Sequence, residues 1–366
     1  MTAFCRAVAF RVDASLQIGS GHLVRCLTLA DALHAEGVDC HFITRAHDAV
    51  ATRLLNGCPH TVHWLPPGMP PESWHDLAHA QWLGAPWQLD AQETAEVLQA
   101  NPIDWLIVDH YALDARWESE IEVSHLLVID DLADRKHHCC LLLDANFGRR
   151  PEQHLSWLPA ATSLLLGPEY ALLRPEFAQR REAAGARISR ERVSQVLIAF
   201  GGTDRDDVTC QLIQALAENI AEPDWHLDVV IGAGNPHVHT VSQALSAWGG
   251  SSQLTVAAED LAERMLMADL SFGAAGTMAW ERCCLGLPTL QLCLADNQQH
   301  ALEALESAGA AQTLTGPQDA PAWLMKLNDH PQTLAMMSVA AADLVDGRGT
   351  QRVVQAMASY QGGVHK

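Results

Sequence analysis

Short apolar runs that end in aspartate or glycine, each followed by a helical stretch, recur along this chain in two series. In the first, Ala7-Val8-Ala9-Phe10 leads toward Asp13, Trp105-Leu106-Ile107-Val108 to Asp109, and His125 to Ile129 into Asp130-Asp131. In the second, Val196 to Phe200 runs into Gly201-Gly202, and Leu270-Ser271-Phe272 runs through Gly273 to Gly276-Thr277. Continuous apolar runs are strands buried on both faces, and their alternation with helices marks an open parallel sheet whose ligands bind beyond the carboxyl ends of the strands. Two series predict an α/β chain of two Rossmann-like, doubly wound domains facing across a cleft. A length of 366 residues fits two domains. Between Pro168 and Val193 the periodicity fades and charge takes over, in Arg180-Arg181-Glu182 and Arg187 to Arg192, which reads as the linker. The first domain then takes residues 1–175 and the second 190–345. Residues 346–366 form a helix that packs back toward the first domain.

Gly19 and Gly21 fall between the first strand and the amphipathic run Leu23, Cys26, Leu27, Ala30, Leu33, so His22 starts a helix. Glycine backbone and the unpaired amides of a first helical turn suit phosphate or sugar oxygens. The same partial positive charge disfavours an imidazolium, and a neutral imidazole is a general base. A histidine there also serves as a cap or a surface residue, and spacing alone does not choose. Leu23 and Val24 stand where a dinucleotide fingerprint needs its third glycine or alanine, and no Gly-Lys-Ser/Thr follows as in a Walker loop.

The second series offers two amide cups at strand ends, Gly201-Gly202 and Gly276-Thr277, an arrangement suited to a diphosphate. Thr277 adds a hydroxyl donor. Glu281, one helical turn further on the same face, either accepts from the vicinal hydroxyls of a ribose or is a plain surface carboxylate. The second domain is therefore expected to hold a nucleotide diphosphate and the first to bring the base. Tyr111, Asp13 and Asp109 lie across the same sheet as His22, and Asp13 is the residue we expect to orient it.

Charge narrows the partners. Lys plus Arg number 23 against 44 Asp plus Glu, a net charge of −21, which argues against nucleic acid and anionic membrane surfaces. No uncharged apolar run approaches the roughly 18 residues of a membrane helix, and Arg6 and Arg11 interrupt the N-terminal apolar residues, so a cytoplasmic protein is expected. The ten cysteines are scattered, two pairs (Cys139-Cys140 and Cys283-Cys284) are adjacent, and no Cys-x-x-Cys occurs. They read as reduced thiols, with no metal and no cofactor expected. His137-His138 beside Cys139-Cys140 is discounted as a metal site, because contiguous residues splay along a chain. The sequence does not set the oligomeric state.

Gly19-Ser20-Gly21-His22-Leu23-Val24-Arg25-Cys26, Asp109-His110-Tyr111-Ala112-Leu113-Asp114, Ile129 to Arg135, Gly167 to Arg174, Phe200-Gly201-Gly202-Thr203-Asp204 and Gly276 to Asn297 occur in this order. Together they resemble the UDP-sugar hydrolases of pseudaminic acid biosynthesis, over about residues 8–300. The resemblance implies the two-domain glycosyltransferase-B fold, shared with the N-acetylglucosaminyl transferase of peptidoglycan synthesis, with water replacing the acceptor sugar. It implies removal of UDP from UDP-2,4-diacetamido-2,4,6-trideoxy-β-L-altropyranose, with inversion at the anomeric carbon and no metal. It puts the catalytic base on His22, sugar-pocket groups on Tyr111 and Asn297, and the ribose carboxylate on Glu281. Gly19, Gly21, Arg25, Asp13, Gly201, Gly202, Gly276, Thr277 and Gln298 complete the expected substrate-binding set. One stretch departs from the family: its usual Cys-Asp-Leu-Leu-Leu-Asp-Gln-Asn is here Cys139-Cys140-Leu141-Leu142-Leu143-Asp144-Ala145-Asn146, a loss of an acid at Cys140 and an amide at Ala145 that goes either with a slightly different sugar or with no change.

Overall fold

A computed structural model describes residues 4–71, 73–74, 76–185, 192–221 and 223–361. Part of the charged stretch read as the linker, residues 186–191, lies outside the described residues. The chain divides into one unit of Met1–Leu172 with Gly349–Lys366 and a second of Leu173–Arg348.

The first unit is built on seven strands: β1 (Ala7–Val12), β2 (Asp39–Arg45), β3 (Thr61–Leu65), β4 (Trp105–Asp109), β5 (His125–Ile129), β6 (Leu141–Asp144) and β7 (Ser163–Leu166). All pairings are parallel, in the order β3-β2-β1-β4-β5-β6-β7. Every residue of β1 is buried, as its unbroken apolar run requires of a central strand. On one face Val8, Phe10 and Val12 meet Cys26, Leu29 and Leu33 of the helix Gly21–Ala35 and Val353, Val354 and Met357 of the helix Gly349–Ser359. On the other, Ala9, Leu106 and Val108 pack with Leu98 and Trp117. Val12 stands opposite Asp109 in the register, so the turns that follow β1 and β4 leave the sheet side by side.

The second unit repeats the plan with β8 (Gln195–Ala199), β9 (His226–Ile231), β10 (Ser252–Val256), β11 (Leu270–Ala274), β12 (Thr289–Leu292) and β13 (Ala311–Thr313). These are again parallel, in the order β10-β9-β8-β11-β12-β13. Val196, Ile198, Val229, Phe272 and Leu290 form the core with Leu212 and Leu216 of the helix Val208–Asn219. In each sheet the strand order turns back once, between β1 and β4 and between β8 and β11. Those are the switch points at which open α/β sheets bind ligands.

Two stretches differ from the sequence reading. Pro175–Ala184, taken as linker, is a helix that buries only Phe177 and Ala184. Its anchor is polar: the Arg181 guanidinium donates to the carbonyls of Cys284, Ala342 and Val345 at the ends of two helices, where a cation opposes the helix dipole. The stretch from Glu72 to Leu83 also reads as a helix in the sequence, but among its described residues only Ala80–Leu83 is helical, a single 3-10 turn that buries Ala80 and Leu83. Glu72 and His75 lie outside the described residues.

Candidate functional site

His22 is the second residue of the helix Gly21–Ala35, whose Leu23, Cys26 and Leu29 are buried, so His22 and Arg25 emerge together one turn apart. The Gly19 amide donates to the Ser15 carbonyl at 2.8 Å and closes the turn that precedes the helix, which Gly21 begins. His22 Nδ1 lies 2.6 Å from Asp109 Oδ1. Arg25 donates to the same carboxylate from Nε at 2.6 Å and from Nη2 at 2.7 Å. Burial alone raises the Asp109 carboxyl, but the Arg25 guanidinium and His22 hold it well below the usual carboxylate range. An ionised carboxylate has only lone pairs to offer, so Nδ1 carries the ring hydrogen and, in the neutral imidazole, Nε2 is left as an acceptor.

Aromatic rings wall this imidazole. The Tyr111 ring meets it edge-on with centroids 4.6 Å apart, Trp82 does so at 6.3 Å, and His79 lies against both Trp82 and Tyr111. Tyr111 donates its hydroxyl to Asp131 Oδ2 at 2.9 Å, and the same oxygen takes Arg25 Nη1 at 2.6 Å. One carboxylate thus fixes both the tyrosine and the arginine that surround His22.

Asp13 is elsewhere. It is fully buried and accepts from Arg11 at 2.6 and 3.1 Å, from the Arg45 amide at 2.8 Å and from the Thr44 hydroxyl at 3.2 Å, with His47 Nε2 at 3.1 Å. Residues two apart on an extended chain share a face, and a buried guanidinium at Arg11 requires carboxylates beside it, which Asp13 and Asp90 supply. The residue that orients His22 is Asp109, and the expectation that Asp13 does so is corrected.

In the second unit, Gly201 comes two residues after the end of β8 at Ala199 with φ +107°, a conformation open to glycine, and Gly202 continues the turn. Gly276 and Thr277 follow β11 and lead into the helix Met278–Cys284. The β8 and β11 ends are neighbours, with Ala199 opposite Gly273, so the two glycine turns open side by side. Gln298, in the turn Asp296–Gln298, approaches Gly276 and accepts from the Leu294 amide at 3.2 Å, while Asn297 is half-buried beside it. Glu281 is 6% exposed, which is no solvated helix face. Arg174 Nη2 stands 3.7 Å from its Oε1, and Oε2 has no hydrogen-bond partner among the described residues. Burial pushes its carboxyl up to about 7, with Arg174 and Arg282 pulling the other way.

Asp131, Trp82 and His79 were not read as site residues. Asp131 carried a signal, an acid at the end of a buried run, whereas Trp82 and His79 lie in the stretch read as a helix, where nothing in the sequence points them at His22. Among the described residues no group of three or more His, Cys, Asp or Glu is arranged to hold a metal ion. His137 bonds Glu118 at 2.6 Å, and all ten cysteines are free thiols. Among the described residues no helix is long and apolar enough to cross a membrane.

The fold is the glycosyltransferase-B fold, two parallel-sheet α/β units in one chain. It aligns with the crystal structure of MurG from Acinetobacter baumannii at a TM-score of 0.68 and 16% identity, over 97% of this chain and all of that one. It also aligns with a UDP-glucosyltransferase from Polygonum tinctorium at 0.66 and 11%, over 98% of this chain and all of the other. In sequence, the chain is 24% identical over 305 residues to the UDP-2,4-diacetamido-2,4,6-trideoxy-β-L-altropyranose hydrolase of Campylobacter jejuni, covering 82% of this chain and 97% of that protein. The resemblance of its motifs to that hydrolase family is thereby borne out. The spore coat polysaccharide biosynthesis protein SpsG of Bacillus subtilis is 25% identical over 198 residues, 52% of this chain and 57% of SpsG. No protein-family model matches the chain.

Proposed function

We propose that this chain is a UDP-sugar hydrolase that releases UDP from UDP-2,4-diacetamido-2,4,6-trideoxy-β-L-altropyranose, inverting the anomeric carbon and using no metal. The observation that carries the reading is the His22–Asp109–Arg25 arrangement at the β1/β4 switch point, which leaves an imidazole nitrogen free to accept a proton. The similarity to the Campylobacter jejuni enzyme supplies the substrate and the reaction.

In this scheme Nε2 of His22 takes a proton from water as the water oxygen bonds to the anomeric carbon. The bond from that carbon to the phosphate oxygen breaks, and UDP departs with the electron pair. A single displacement from the opposite face inverts the centre. Amides of Gly201, Gly202 and Gly276 with the Thr277 hydroxyl hold the diphosphate and offset its charge as it leaves. The unpartnered Oε2 of Glu281 accepts from the ribose hydroxyls. Tyr111, Asn297 and Gln298 bound the sugar, Gly19 and Gly21 let the backbone approach it closely, and Arg25 keeps Asp109 ionised.

The test is incubation of the purified chain with the UDP-sugar alone, following UDP release and the anomer first formed by NMR. Release without an acceptor, the inverted anomer, and a rate indifferent to a chelator are expected. Silence until an acceptor sugar or alcohol is added would make it a glycosyltransferase on the same fold, and loss of rate on chelation would contradict the metal-free scheme.

A further inference from the structure

Arg282 is one of the largest fully buried side chains in the protein, and nothing in the scheme above uses it. It follows Glu281 on the helix Met278–Cys284 and reaches back to the end of β11. Its Nη2 donates to the carbonyl of Ala274, the last residue of β11, at 2.5 Å. A Cβ at Gly273 would sit 2.8 Å from its Cζ and 3.1 Å from the carbonyl oxygen of Ala199, the last residue of β8. Only glycine at 273 leaves room for the guanidinium, which therefore lies against the carboxyl ends of both switch-point strands, two residues before the turns at Gly201-Gly202 and Gly276-Thr277.

This cation is poorly compensated. Among the described residues Nε and Nη1 have no hydrogen-bond partner, and the side chain makes no ion pair. Burial pushes its pKa down to about 10. The neighbouring Glu281, itself pushed up to about 7 by burial, neutralises it only in part. A buried charge with too few acceptors is costly unless a counter-charge arrives. In a low-dielectric site that counter-charge need not touch the guanidinium to be felt.

We propose that Arg282 supplies the positive charge for anion binding at the β8/β11 switch point, acting from the strand ends that precede the glycine turns to favour a nucleoside diphosphate over the bare nucleoside. The inference deepens the UDP reading and rests on it. Arg282 is a positioning residue: the amides contact the phosphates, and the buried guanidinium sets the field in which they do so.

Calorimetric titration of the full chain with UDP and with uridine tests it, for the natural protein and for Arg282→Met and Arg282→Lys. The Met variant is expected to lose at least about tenfold more affinity for UDP than for uridine, which weakens only to the extent that Glu281 loses a positive neighbour helping to keep it ionised. Its ligand-free melting temperature should be equal or higher, because an unpaired buried charge has gone. The Lys variant, which keeps the charge, is expected to recover most of the UDP affinity, and where the Met variant does not fold, Arg282→Gln, which also removes the charge, takes its place. Equal losses for UDP and uridine, a lowered melting temperature with UDP affinity intact, or a Lys variant as weak for UDP as the Met variant would mark Arg282 as a structural strut and overturn the inference. A natural protein that binds uridine but no tighter to UDP overturns it as well, while one that binds neither refutes the UDP reading itself.

Discussion

His22 and Asp109 are 87 positions apart in sequence and 2.6 Å apart in space. The β1/β4 register makes that contact, because it sets the strand ends next to each other. His22→Ala is expected to lower kcat by about 10²–10⁴-fold, the usual worth of a positioned base, with UDP affinity retained. Asp109→Asn is the sharper probe. An amide can donate to Nδ1 and so transfer the ring hydrogen to Nε2, which would abolish base function while leaving the imidazole in place. A fall in kcat of the same order without loss of UDP binding is the expected result of steady-state kinetics paired with titration. An Asp109→Asn enzyme with full kcat would remove Asp109 from the mechanism. Glu281 gives a second prediction at this scale. With its carboxyl pushed up to about 7 by burial, it accepts from two hydroxyls only when ionised. Uridine, which carries no titrating phosphate, should therefore bind with constant affinity above about pH 7 and more weakly as the pH falls below it. In Glu281→Gln the affinity should be weaker above about pH 7 and flat with pH; an unchanged pH profile would mean that Glu281 does not meet the ribose.

At the scale of elements, two short helices are held by polar anchors where an apolar stripe is lacking. Ala115–Glu118 is a four-residue helix, too short to persist alone. Glu118 fastens it to the segment before β6 by accepting from His137 Nδ1 and the His138 amide. Burial alone would lower the His137 pKa, but Glu118 and Asp130 raise it to about 9, above the ordinary value of 6.5. Since the folded state holds this proton more tightly, the stabilisation is complete below about pH 6.5 and is lost as pH rises through 9. A shift of that size corresponds to roughly 3 kcal/mol. Urea denaturation at pH 6.5 and 9.5 should show most of that difference in the natural protein and little of it in His137→Gln. The same distinction explains what could be read from the sequence. Central strands such as β1 and β4 announced themselves as unbroken apolar runs, and the glycine turns at Gly21-His22 and Gly201-Gly202 followed from where those runs stopped. The helix Pro175–Ala184 escaped because Arg181, with its carbonyl partners more than a hundred positions away, does the work of an apolar face. Asp13 misled for a related reason. A strand-end acid looks the same in sequence whether it faces a ligand pocket or neutralises a buried arginine such as Arg11.

On the scale of the whole molecule, the chain leaves the first unit at Leu172 and returns to it at Gly349, so the first unit is finished only by the last helix. Val353, Val354 and Met357 of that helix are buried in the same core as Phe10, Leu29 and Leu33. Full burial of an aliphatic side chain is worth about 1.5–3 kcal/mol, so the three together contribute on the order of 5–9 kcal/mol. That is comparable to the entire stability of an ordinary domain, about 5–15 kcal/mol. The second unit, Leu173–Arg348, has its own core and draws nothing from Val353, Val354 or Met357. A chain ending at Arg348 is therefore expected to lose the folded first unit and keep the second. In limited proteolysis, fragments from residues 1–172 should vanish early while a fragment of 173–348 persists, and uridine and UDP should still bind that fragment. UDP release from the sugar nucleotide should be gone, because His22 and Asp109 belong to the unit that has unfolded. If the truncated chain kept a protease-resistant first unit, the energetic weight given to the last helix would be wrong. If it lost nucleotide binding while 173–348 stayed folded, nucleotide binding would not belong to the second unit alone.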